Sequence, residues 1–101
     1  MNIEIFFNTV NIAIDLFNLL SDNLSKSLYD VSVIDELKLH SKHITKGYKL
    51  KLLKSNIRSF LDLELDITDV FDSENVKIYN DIFLILIQTL SNLELIIDEF
   101  L

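Results

Sequence analysis

Between Asn2 and Tyr29, Glu4, Asn8, Asn11, Asp15, Asn18 and Asp22 fall within roughly 80° of arc when the chain is wound at about 100° per residue. Nearly every other position is apolar, from Ile3, Ile5, Phe6 and Phe7 through Val10, Ile12 and Ile14 to Leu16, Phe17, Leu19 and Leu20. The pattern predicts a helix with a thin wet strip, the inverse of a surface helix with a limited apolar stripe. Such a helix has to be covered by the rest of its domain, by a second copy or by another protein.

Three further helices follow from the same periodicity. Ser32 reads as an N-cap, with Asp35 and Glu36 in the first turn where the helix dipole favours acids. From there Val33, Leu37, His40 and Ile44 form an apolar line, predicting a helix over 32–46 that ends at Gly47 in a left-handed cap after Lys42 and Lys46. Leu50, Leu53, Ile57, Phe60 and Leu61 give a third helix over 48–65. The strict alternation of residues 61–67 has the period of a strand but no alternating partner segment, so it reads as a helix fraying into an acidic loop over 66–72. Ser73 then caps a helix over 73–100, in which Tyr79, Phe83, Leu86, Leu90, Leu93, Ile97 and Phe100 are spaced alternately by four and three. That is the seam of helices packed at a shallow angle. Leu84, Ile87 and Leu95 form a second, weaker apolar line and are candidates for a partner interface.

Composition sharpens this into a fold class. The 101 residues contain no Pro, one Gly and one Ala, with half the positions apolar, so little interrupts long helices. The expectation is one all-α domain over 1–101, a compact four-helix bundle of antiparallel helices joined by short connections. The longest apolar run, residues 82–87, is far short of the roughly 20 residues that cross a bilayer, and the first residues lack a basic flank. These features predict a cytoplasmic protein without membrane insertion.

The charges are segregated. Residues 38–58 hold Lys38, Lys42, Lys46, Lys49, Lys51, Lys54 and Arg58 without one acid, a formal +7. The remainder sets Lys26 and Lys77 against all 16 acids, a formal −14, and the sum is the overall −7. Clustered cations suit phosphates, so Lys38, Lys42, Lys46, Lys51, Lys54 and Arg58 are the candidate patch for nucleic acid. With a single Arg and only Tyr48 for stacking, such a patch reads bases poorly. The reading preferred here is that the 32–58 hairpin lies against acidic faces of this chain or of a partner.

Candidate chemistry is sparse. Absence of Cys removes disulfides, thiolate catalysis and Cys-ligated metals. Glu36, His40 and His43, spaced i, i+4, i+7, share one face of the second helix, and their groups suit zinc or iron, with Glu64 or Asp66 as a further ligand. This is a weak metal candidate, and no cofactor is expected. The acidic run from Asp62 to Asp72 does not fit a calcium-binding loop, because its sixth and twelfth positions hold Ile67 and Ser73. The two His and the scattered acids form no acid–base pair, and no enzyme activity is expected. The function expected is a non-enzymatic protein–protein interaction module, a small inhibitor, adaptor or immunity-type protein acting on a partner or as a homodimer. The alternative is a nucleic-acid-binding helical protein that uses residues 38–58.

Overall fold

The computed structural model describes residues 3–20, 31–44, 47–62 and 76–101. Among them are four helices and no strand: α1 (Ile3–Leu20), α2 (Val31–Leu39), α3 (Tyr48–Leu61) and α4 (Val76–Phe100). The all-α fold read from the sequence is the fold observed. The expected continuation of the first helix to Tyr29, the Ser73 cap and the acidic loop over 66–72 lie outside the described residues.

Each helix packs on two others. α4 lies beside α1 and α3, and α2 beside α1 and α3, so the four close a ring around one core. Phe6 near the start of α1 meets Phe100 at the end of α4, with ring centroids 5.6 Å apart. Phe17, near the end of α1, lies 5.4 Å from Phe60, which lies 6.4 Å from Phe83 near the start of α4. α1 and α4 therefore run in opposite directions. So do α3 and α4, because Lys54 pairs with Asp98 while Arg58 pairs with Glu94. The long axis of 41 Å fits the 25 residues of α4 at about 1.5 Å each.

The seam expected on α4 is the buried line. Phe83, Leu86, Leu90, Leu93 and Ile97 are buried, and Tyr79 and Phe100 pack partly buried at its ends. Leu50, Leu53, Ile57 and Phe60 bury the inner face of α3. On α1 the buried line is Phe6, Val10, Ala13, Phe17 and Leu20, opposite the wet strip.

Three boundaries differ from expectation: both ends of α2, and the end of α3, which stops at Leu61 with Asp62 as its cap rather than at 65. α2 already includes Ser32, which therefore does not stand ahead of the helix as its cap. It ends at Leu39 rather than Lys46, because short bonds and side chains take over its last carbonyls. The His40 amide reaches the carbonyls of Glu36 and Leu37 at 3.3 and 3.1 Å, and the Ser41 amide reaches that of Lys38 at 3.2 Å. The His40 Nδ1–H donates to the Glu36 carbonyl at 2.8 Å, and the Ser41 hydroxyl donates to that of Lys38 at 2.8 Å. The i−3 bonds to Leu37 and Lys38 tighten the terminal turn, and with the side-chain bonds they satisfy acceptors that another helical turn would have used.

Gly47 accordingly caps no helix C-terminus. It precedes α3, its carbonyl accepts the Lys51 amide at 3.0 Å, and its φ of 64° with ψ of −121° matches the first central position of a type II′ turn. A side chain there meets no atom within 4 Å, so the cost of adding one is backbone strain alone. Gly47→Ala is expected to lower stability by about 1–3 kcal/mol in urea unfolding with the helical circular dichroism retained.

Candidate functional site

The basic segment divides between two environments. Arg58 grips Glu94 of α4 through both carboxylate oxygens, its Nε–H donating at 2.8 Å, and its Nη1 lies 3.4 Å from Asp62. The hydrogen bonds it donates to Glu94, and then to Asp62, raise its pKa above the ordinary arginine value. Lys54 pairs with Asp98 one turn further along α4. This half of the segment lies against an acidic face of the same chain. Lys38, Lys42, Lys49 and Lys51 are exposed, and Lys46 lies outside the described residues.

The proposed metal face does not form on one helix. His43 lies in the bend beyond α2 and is exposed. His40 is fully buried, edge-on to Phe6 at 6.3 Å, with its Nδ1–H committed to the Glu36 backbone carbonyl. Glu36 Oε2 is buried without a hydrogen-bond partner. Among the described residues no three His, Asp or Glu side chains converge on a position that holds a metal ion. Glu64 and Asp66 lie outside those residues.

The feature that stands out is exposed apolar surface. On α1, Ile5, Ile12 and Leu19 are 49%, 50% and 61% exposed, at seven-residue intervals. On α4, Ile78 and Ile85 repeat that interval at 58% and 54%. Of the three interface candidates, Leu84 and Leu95 are exposed, while Ile87 packs against the core. The α1 line and the Ile78–Ile85 pair were not among the candidates.

Helix geometry places both lines on the outer side where α1 and α4 meet. On α4, Glu94 and Asp98 mark the flank toward α3, so α1 occupies the opposite flank, where Phe100 meets Phe6. Ile78 and Ile85 lie on this α1 side, roughly 100–120° around from the buried seam. α1 and α3 both run opposite to α4 and sit on its two sides, so they turn opposite flanks toward it. On α3 that flank carries Lys54 and Arg58. On α1 it carries Leu16, with Ile5, Ile12 and Leu19 roughly 100–140° around from the buried line. Because Phe6 is level with Phe100 and Phe17, through Phe60, with Phe83, Ile85 lies beside the Leu19 end of the α1 line and Ile78 beyond it, on the same outer side, between α1 and α4. The charged pairs border the other outer groove of α4.

The same surface gives both helices a membrane-like composition. Ile3–Leu20 and Lys77–Phe100 each have a mean hydropathy of 1.4 and are, by length and composition, long and apolar enough to cross a bilayer, a test that core helices of soluble proteins also pass. Counting unbroken apolar runs missed this, because isolated Asn, Asp and Gln residues break the runs without lowering the average far. Only 28% of each stretch is buried within the fold. No family model, curated protein or solved structure matches the chain.

Proposed function

We propose that the protein is a non-enzymatic protein–protein interaction module, an inhibitor, adaptor or immunity-type protein that works by covering part of a partner. The observation that carries this reading is the run of half-exposed Ile and Leu side chains along the outer groove of α1 and α4. Single exposed apolar residues are ordinary, whereas aligned ones on two adjacent helices mark a surface that gains from being covered. A second copy of this chain is one possible cover and a different protein is another.

The second reading, nucleic-acid binding, draws on the exposed Lys38, Lys42, Lys49 and Lys51. Arg58, the one residue with a bidentate fork, is already engaged by Glu94. Photo-crosslinking in the cells that make the protein separates the two. Benzoylphenylalanine at position 12 or 85 is expected to give a protein adduct of discrete mass. Nucleic-acid adducts from position 42 alone would favour the second reading, and no protein adduct from 12 or 85 would contradict the first.

A further inference from the structure

The geometry points to a cationic amphipathic helix of a different protein as the occupant of the α1/α4 groove. This rests on the interaction reading above and specifies the partner's chemistry. The surface is linear, since Ile5 to Leu19 spans 14 residue steps, or about 21 Å at 1.5 Å per residue. That is the length of a partner helix of about four turns. Such a helix presents its own apolar line at i, i+4 and i+7 and lays it along the α1 row of Ile5, Ile12 and Leu19, with Ile85 of α4 beside the Leu19 end.

Charge selects among the possible occupants. The groove is rimmed by the exposed Glu4 and Asp15 on α1 and the exposed Asp81 and Glu99 on α4. α1 has no Lys or Arg, and the one cation of α4, Lys77, sits in its first turn. A second copy brings acidic rims against acidic rims, and an anionic lipid surface meets the same repulsion. Lys and Arg beside the apolar line of a partner helix are attracted to both rims.

The test titrates the full chain into a fluorescein-labelled 18-residue helical peptide with a Leu line flanked by Lys, and into the same peptide with Glu in place of Lys. The Lys peptide is expected to bind at least about tenfold tighter. Ile12→Ser with Ile85→Ser is expected to weaken it about tenfold or more. Leu84→Ser with Leu95→Ser removes similar surface away from the groove and changes binding less than about twofold. All four substituted positions are exposed, and unchanged circular dichroism shows both variants folded. Equal weakening by the two pairs, no weakening by the first, or no preference for Lys overturns the inference. So does a dimer of the unmodified chain that Ile12→Ser with Ile85→Ser dissociates, or displacement of the peptide by phosphatidylglycerol vesicles. If one of these occurs while the protein adduct at position 12 persists, the interaction reading stands and this partner chemistry fails. If the adducts at 12 and 85 are also absent, both fail.

Discussion

Replacing Phe6 by Ala is expected to lower the unfolding free energy by about 3–5 kcal/mol, a large share of the roughly 5–15 kcal/mol that holds a domain together. Phe6 is fully buried and joins three elements at one end of the ring of helices. Its ring packs edge-on to Phe100 of α4 and to Phe7 of its own helix, each at 5.6 Å, and to His40 beyond α2 at 6.3 Å. Edge-to-face pairs contribute about 0.5–1.5 kcal/mol beyond the area they bury. Truncation loses these contacts and leaves a cavity that three separate elements have to collapse into. It also removes the ring that covers His40, whose polar edge sits in an apolar setting. Urea unfolding followed by circular dichroism reads the effect, and a loss below about 1 kcal/mol would mean that α1 is not packed as described.

Leu90 and Leu95 make the second large prediction, as a contrast. Both are leucines on α4, five residues apart, and Leu90 is 0% exposed while Leu95 is 67% exposed. Leu90→Ala is expected to cost about 2–5 kcal/mol and Leu95→Ala to stay within about 0.5 kcal/mol of the parent. Helix propensity nearly cancels, since the same exchange is made in the same helix. The difference therefore isolates burial. It tests the register of α4 and shows whether the outward leucines serve the fold at all. Similar losses at both positions would mean that the outer face of α4 is covered within the chain, and would remove the reason to look for a partner there.

How legible this was depended on how much each helix contrasts with itself. On α4 the seam stood out because Asp81, Gln88, Asn92, Glu94, Asp98 and Glu99 surround it with polar positions. On α1 the line of Phe6, Val10, Ala13, Phe17 and Leu20 could not be told from Ile5, Ile12 and Leu19. Both lines are apolar at helical spacing, and only the neighbouring helices decide which is buried. Ile85 was hidden in the same way, inside the apolar run of residues 82–87 that covers every face of the helix. Within the basic segment, Lys54 and Arg58 met acids of α4 as the charge pattern suggested, because their spacing matches the turn between Glu94 and Asp98. The end of α2 misled because Lys42, Lys46 and Gly47 carry the composition of a helix C-terminus. The decisive event comes earlier, where the His40 ring and the Ser41 hydroxyl turn back onto the last carbonyls. Side-chain competition of that kind leaves little trace in periodicity.

In the proposed function, the apolar groove between α1 and α4 is covered by another protein. The most direct measurement is the yield of the protein adduct from benzoylphenylalanine at position 12, compared between the otherwise unmodified chain and one also carrying Ile85→Ser, with the urea midpoint of each. The adduct is expected to fall about tenfold while the midpoint holds. An adduct that persists at full yield, or a midpoint that drops with it, would contradict the claim: the first places the partner elsewhere, and the second makes the groove part of the fold.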